Sequence, residues 1–170
     1  MPDIWESFKA VLLPAAVVLA IELISSLGGI GAMLHPNPSS ALCLLLQLLS
    51  MAVFAWIGSN AVKNRGVGVL GGVITAFFAA VLGYGLAFAI DLTYFYTPAS
   101  YAAKYPPDFI SGWGGSLNLA IAMLAPFLAI GIMAGTFMGA ASAIFAAREM
   151  NIPIFSRAWL LASREPRPRN

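Results

Sequence analysis

One acidic residue lies deep inside the first long apolar segment of the chain. Glu22 is near the centre of that segment, where a charge costs about 2.5–3.5 kcal/mol on membrane-insertion scales. We therefore expect its carboxyl to be protonated, paired, or turned towards water inside the protein. Residues three, four and seven positions later are Ser25, Ser26 and Gly29, so this helix face is small and polar and should point into a bundle. Hydrogen-bond partners of suitable type in the other apolar segments are Gln47, Ser50, Thr75 and Thr136.

The residues alone leave two roles open for Glu22. An ionisable group inside a membrane segment is functional by default, which favours a proton or cation site. No Lys or Arg lies within any apolar segment, and a lone acid also fits a hydrogen bond between helices or a contact with another subunit. Asp91, at the end of the third segment, is expected to be solvated at the outer interface.

The other reactive residues form no signature of an enzyme or a cofactor site. His35 alone cannot supply the paired axial ligands of a membrane haem, and Cys43 is expected to be a small apolar filler. The sequence contains no P-loop and no evident set of nucleophile and base. We therefore expect a protein that is not an enzyme and has no cofactor. The net charge of +2 comes from basic residues that flank apolar segments, so nucleic acid is not an expected partner.

Composition and segment length predict an all-α integral membrane protein. The chain is 60% hydrophobic and only 9% charged, whereas a soluble domain carries about 25% charged residues. A membrane-spanning helix needs about 20 mainly apolar residues. Four stretches meet this requirement: 11–34, 41–62, 67–90 and 117–147. Short links at 35–40 and 63–66 predict two antiparallel hairpins.

The distribution of basic residues predicts an orientation. Of the nine Lys and Arg residues, all except Lys104 fall on one side of the predicted spans. Lys and Arg are enriched in cytoplasmic loops, so we expect both termini in the cytoplasm. This pattern is typical of a multi-pass protein in a prokaryotic plasma membrane.

The predicted spans divide the chain into a transmembrane domain, 1–148, and a cytoplasmic juxtamembrane tail, 149–170. In the tail, Ser156 is a candidate cap for a short interfacial helix, with Trp159 on its apolar side and Arg157 and Arg164 reaching lipid headgroups or a partner. An outer loop from about Asp91 to Ser116 is rich in Tyr, Phe and Trp. We expect it to be an aromatic belt without regular structure, with a lid or a docking surface as alternatives.

Small residues recur at every fourth position of the third and fourth segments, as in glycine zippers. The rows are Gly71-Thr75-Ala79-Gly83-Ala87-Asp91, Gly68-Gly72-Ala76-Ala80 and Gly131-Gly135-Gly139-Ala143-Ala147. Rows of this kind let helix backbones approach closely in lipid, so their glycines are the predicted packing residues. Either the helices pack on each other within one protomer, or at least one row faces another subunit. Because four helices are not expected to use three small faces internally, we expect a partner or self-association.

The segment Ala20-Ile21-Glu22-Leu23-Ile24 is similar to the first helix of small multidrug-resistance transporters, which also have four helices and a membrane-embedded glutamate. The resemblance implies transport through Glu22. The chain departs from that family in its long aromatic outer loop, its basic tail and its strong charge bias.

Two functions follow as hypotheses. The first is a non-catalytic small subunit of a larger membrane complex, with the lipid bilayer and other membrane subunits as its partners. In that role the glycine rows pack helices, and Glu22 and Gln47 are intramembrane polar contacts. The second is a homo-oligomeric small transporter or channel that uses Glu22 as its proton or cation site.

Overall fold

The computed structural model describes the backbone of residues 4–34, 40–66 and 68–150, and the side chains of 9–27, 45–66 and 68–150. Regular structure in these ranges is entirely helical. The long helices are α1 Ile4–Leu34, α2 Ser40–Lys63, α3 Val69–Ile90 and α6 Ser116–Glu149. A π-helical turn at Asp91–Phe95 and the short helices α4 Pro98–Lys104 and α5 Pro107–Gly112 lie between α3 and α6.

The four long helices are each long and apolar enough to cross a membrane. This confirms the predicted all-helical class with four candidate spans and is compatible with a multi-pass membrane protein. The helix ends agree with the predicted spans to within a few residues, except where α1 extends back to Ile4. The outward face of α6 shows why lipid is the suitable solvent. Phe127, Met133 and Phe137 on this face are each more than 70% exposed. The hairpin arrangement and the cytoplasmic termini stay predictions.

The helices pack around a core of small and aromatic side chains. α6 contacts α2 and α3, and α1 contacts α3 and α2. An ion pair between Lys63 and Glu149 joins the last residues of α2 and α6. We call this the Lys63 end of the bundle, and we call the opposite end, formed by the π turn, α4 and α5, the cap end.

The glycine row of α6 lies inside the protomer. A Cβ added to Gly131 would approach the Tyr84 ring to 2.8 Å, and one added to Gly135 would approach the Phe54 ring to 2.7 Å. Gly139 faces the Ala76 side chain. Side chains of α2 and α3 therefore pack directly on this row, and a larger residue in the row would clash with them.

Both small faces of α3 are also used internally. A Cβ added to Gly83 would approach Val18 of α1 to 2.9 Å, and one added to Gly72 would approach Ala143 of α6 to 3.0 Å. Gly71 is only partly buried, and its carbonyl accepts the Thr75 hydroxyl at 2.7 Å. The premise that four helices do not use three small faces internally is therefore wrong: α3 packs one face on α1 and its neighbouring face on α6.

The cap end contains regular structure that the sequence did not predict. Prolines do not prevent helix formation here: Pro98 and Pro107 are each the first residue of a short helix, where a missing amide proton costs nothing. The Thr97 hydroxyl caps α4 by accepting the Ser100 amide at 3.2 Å. The aromatic rings expected at the interface include Tyr94, which is 74% exposed.

Some predicted features lie outside the described residues. They are the outer turn from His35 to Ser39, the side chain of Cys43, and the tail from Asn151 onwards with Trp159, Arg157 and Arg164. The expectations for these residues stay predictions.

Candidate functional site

Glu22 lies on α1 with a carboxylate that is only partly satisfied. Gln47 of α2 forms a side-chain hydrogen bond with it. Its Oε1 atom is fully buried and, among the described residues, has no hydrogen-bond partner. A buried acceptor without a partner costs about 1–3 kcal/mol, so this oxygen is a position where a proton or a cation is favoured.

A second carboxylate lies within electrostatic reach of the first. Asp91, at the start of the π turn, forms a hydrogen bond with Ser26, one helical turn beyond Glu22 on α1. Its Oδ1 atom is also buried and has no partner in the described part of the chain. The expectation that Asp91 is solvated is therefore wrong for this atom, because the π turn packs against α1 and α6.

A third polar pair lies deeper in the bundle. The Ser50 and Tyr84 hydroxyls are 2.8 Å apart, and both residues are buried. The Tyr84 ring rests on Gly131 and stacks on Phe54 with ring centroids 5.9 Å apart. The glycine row thus sets the position of a hydroxyl that lies within electrostatic reach of Glu22.

These side chains form a polar column along one half of the bundle. Its members are Glu22, Ser26, Gln47, Ser50, Tyr84 and Asp91. Tyr84 and Asp91 are two helical turns apart, which is about 10 Å at 1.5 Å per residue. From the deepest pair, Ser50 and Tyr84, the column leads through Glu22 and Gln47 to Ser26 and Asp91 at the cap end.

Apolar side chains occupy the bundle on the Lys63 side of the column. Phe54 and Ala76 are fully buried there, and Ile57 is 3% exposed. Closer to the Lys63 end follows a cluster that includes Val62, Val69 and Ala147. The polar column therefore continues towards the cap end, whereas packed apolar side chains close it off on the Lys63 side.

The sequence pointed to four of the six residues of the column, which are Glu22, Ser26, Gln47 and Ser50. Gln47 was predicted as a partner of Glu22 and does contact it. Ser50 bonds Tyr84 instead, while the Thr75 and Thr136 hydroxyls donate to carbonyls of their own helices at 2.7 Å.

Asp91 and Tyr84 were missed as members of the site. A signal for Asp91 was present, since it continues the four-residue row of Gly83 and Ala87, and Gly83 faces α1. No spacing rule pointed to Tyr84, because its partner Ser50 is on another helix.

The chemistry of the column is that of oxygen ligands. Carboxylate, hydroxyl and amide oxygens suit protons and hard cations. Among the described residues, no group of three or more His, Cys, Asp or Glu side chains is placed to hold a metal ion. The arrangement therefore fits a proton or a weakly held small cation better than a permanently bound metal.

The chain matches no protein-family model, and no curated protein or solved structure is significantly similar to it. The candidate function is therefore argued from the polar column itself.

Proposed function

We propose that this chain is a small transporter or channel for protons or small cations, with Glu22 and Asp91 as its ion site. The observation that carries the proposal is the pair of buried carboxylate oxygens, one on each residue, that have no partner in the described structure. The two acids come from different elements, α1 and the π turn after α3, and they lie within electrostatic reach of each other. The site is thus built by the fold and not by neighbouring positions in the sequence.

Electrostatics supply the reason for an ion at this position. Two carboxylates that are both charged repel each other, and the repulsion grows as the local dielectric constant falls. A proton on either carboxyl, or a cation close to both, weakens that repulsion and offers a partner to a free oxygen. An intramembrane acid that holds an exchangeable ion is the usual element of a proton or ion pathway.

The proposed site is complete within one protomer. Glu22 forms its hydrogen bond with Gln47 and lies within electrostatic reach of Asp91, both of the same chain, so the proposal requires no cavity shared between copies. Self-association, expected from the sequence, stays a prediction that this function does not need.

Reconstitution of the purified protein into liposomes tests the proposal. We expect an imposed proton, Na⁺ or K⁺ gradient to dissipate faster than in empty liposomes, and Asp91→Asn to abolish most of that flux because it removes one of the two acids. Asp108→Asn is the matched control, since Asp108 is an exposed acid of the cap, and it should retain wild-type flux. Absence of flux for all three ions, in both gradient directions, would contradict the proposal.

A non-catalytic subunit of a larger membrane complex is our second candidate. Its main support was the expectation that a glycine row faces another protein, but the rows of α3 and α6 pack inside the protomer. Gentle extraction from the native membrane, followed by mass spectrometry, separates the two functions. Stoichiometric foreign subunits favour the second, whereas the chain alone, combined with flux in liposomes, favours the first.

We also infer a location in a prokaryotic plasma membrane with both termini in the cytoplasm. The support is the concentration of Lys and Arg on one side of the spans. In this orientation the cap end faces outwards, and the polar column opens towards the outer side.

A further inference from the structure

α3 does not stop at the ion site but continues into the π-helical turn. Asp91 is the first residue of this turn, and its carbonyl accepts the Tyr96 amide at 2.6 Å. π-helical turns are rare and are frequently found at functional sites. The turn leads directly to α4, so a movement of α4 is transmitted to the residue that carries the second carboxylate.

One side chain fastens α4 to the rest of the protein. Tyr101 is the only buried residue of this helix, with 8% of its surface exposed. It packs in an apolar cluster with Leu119 and Ala120 of α6, and with Leu92, which follows Asp91. Burial raises the pKa of Tyr101, and the neighbouring Tyr105 and Asp91 add to the rise. Because Leu92 directly follows Asp91 in the chain, its packing on this cluster places the Tyr101 ring near the cap end of the polar column.

The other residues of α4 are half-buried or exposed, and Tyr105 at its end also packs against the apolar cluster of Tyr101. Tyr105 stacks on Tyr101 with ring centroids 6.0 Å apart and on Phe109 at 5.3 Å. The Lys104 ammonium lies 5.7 Å from the centre of the Tyr105 ring. A helix of seven residues is not stable on its own, and an element held by few buried contacts opens at low free-energy cost. α4 thus has the properties of a mobile cover that is anchored mainly by Tyr101.

We infer that α4 is a gate over the cap end of the polar column and that the Tyr101 ring is its latch. With the ring seated beside Leu92 and Leu119, the free oxygen of Asp91 is closed off from water. Release of the ring lets α4 swing about the π turn and exposes Asp91, while the packed Phe54 keeps the Lys63 side shut. The inference rests on the proposed ion site and adds the side and the element through which an ion reaches it.

Carboxyl labelling in bilayer discs tests the gate without requiring transport. The probe is a water-soluble carbodiimide with an added amine, which converts an accessible carboxyl into an amide, and mass spectrometry reports each site. We expect Asp91 in the wild type to react at least about tenfold more slowly than the exposed Asp108, because reaction follows the population of the open state. Tyr101→Ala should raise the Asp91 rate towards that of Asp108, and Tyr101→Phe, which keeps the ring, should leave it near the wild-type rate.

Phe109→Ala is the matched control, because Phe109 is a half-exposed ring at the far end of the same stack and should not change the Asp91 rate. If Tyr101→Ala does not fold, Tyr101→Leu takes its place with a smaller apolar anchor. The gate is overturned if Asp91 and Asp108 react equally fast in the wild type, or if a folded Tyr101→Ala protein labels Asp91 at the wild-type rate. Loss of flux with normal gating would instead reject the transport function and leave the gate standing.

Discussion

Replacing Glu22 with Gln is expected to reduce ion flux to the level of empty liposomes while leaving the four-helix fold intact. The amide keeps the size of the side chain and can still pair with Gln47, but it can neither release a proton nor neutralise a cation. A neutral amide is also cheaper to bury in a membrane than a charge, so stability should be unchanged or higher. The measurement is flux in liposomes, compared with the helical content and detergent stability of the same preparation.

Glu149→Gln is the matched control for this prediction. Glu149 is an acid of the same type at the Lys63 end, where it pairs with Lys63 on an exposed surface, and such pairs contribute about 0–1 kcal/mol. It should retain flux and stability. If Glu22→Gln carried ions as well as the wild type, and assembly were also unchanged, neither the transport role nor the subunit role of this residue would survive.

Gly135→Leu is expected to destabilise the protomer severely. A single added carbon already lies 2.7 Å from the Phe54 ring, and that ring is fully buried and stacked on Tyr84, so it has no free volume to move into. Overpacking of this kind costs about 1–3 kcal/mol and occasionally more; we expect the smaller Gly135→Ala change to fall within this range and Leu to exceed it. Unfolding in mixed micelles, followed by circular dichroism, measures the loss.

Gly85→Leu tests whether the effect belongs to the packed row and not to the loss of any helix glycine. Gly85 lies on α3 with open space where a Cβ would be built, so its replacement should be tolerated. Because the α6 row packs within one protomer, Gly135→Leu should be unstable even at dilutions in detergent where no oligomer persists. Equal stability of the Gly135→Leu and Gly85→Leu proteins would show that the row is incidental.

The spans were predictable because the bilayer leaves the chain few options. Backbone groups must be satisfied inside each segment, so length and hydropathy were enough to place α2, α3 and α6 closely. The small-residue rows were equally visible, since a four-residue interval marks one helix face. The four-residue spacing does not reveal which helix packs on the row, however. The packing of Phe54 and Tyr84 on α6 depends on the arrangement of three helices.

The misses at the cap end have a common physical cause. A proline such as Pro98 or Pro107 can follow the end of one helix or begin the next, and only the tertiary structure decides between these two positions. Asp91 was placed at a wet interface because it ends an apolar segment. The π turn and its packing on α1 instead bury one of its oxygens, and the fold brings Asp91 within electrostatic reach of Glu22.

The central claim is that Glu22 and Asp91 form one membrane-embedded ion site, and labelling with a hydrophobic carbodiimide tests it most directly. This reagent reaches protonated carboxyls inside a membrane, and a cation bound there protects them. We expect Glu22 to be labelled, the labelling rate to change with pH or with added Na⁺ or K⁺, and Asp91→Asn to alter this dependence. Labelling of Glu22 that is independent of pH, of both cations and of Asp91 would contradict it.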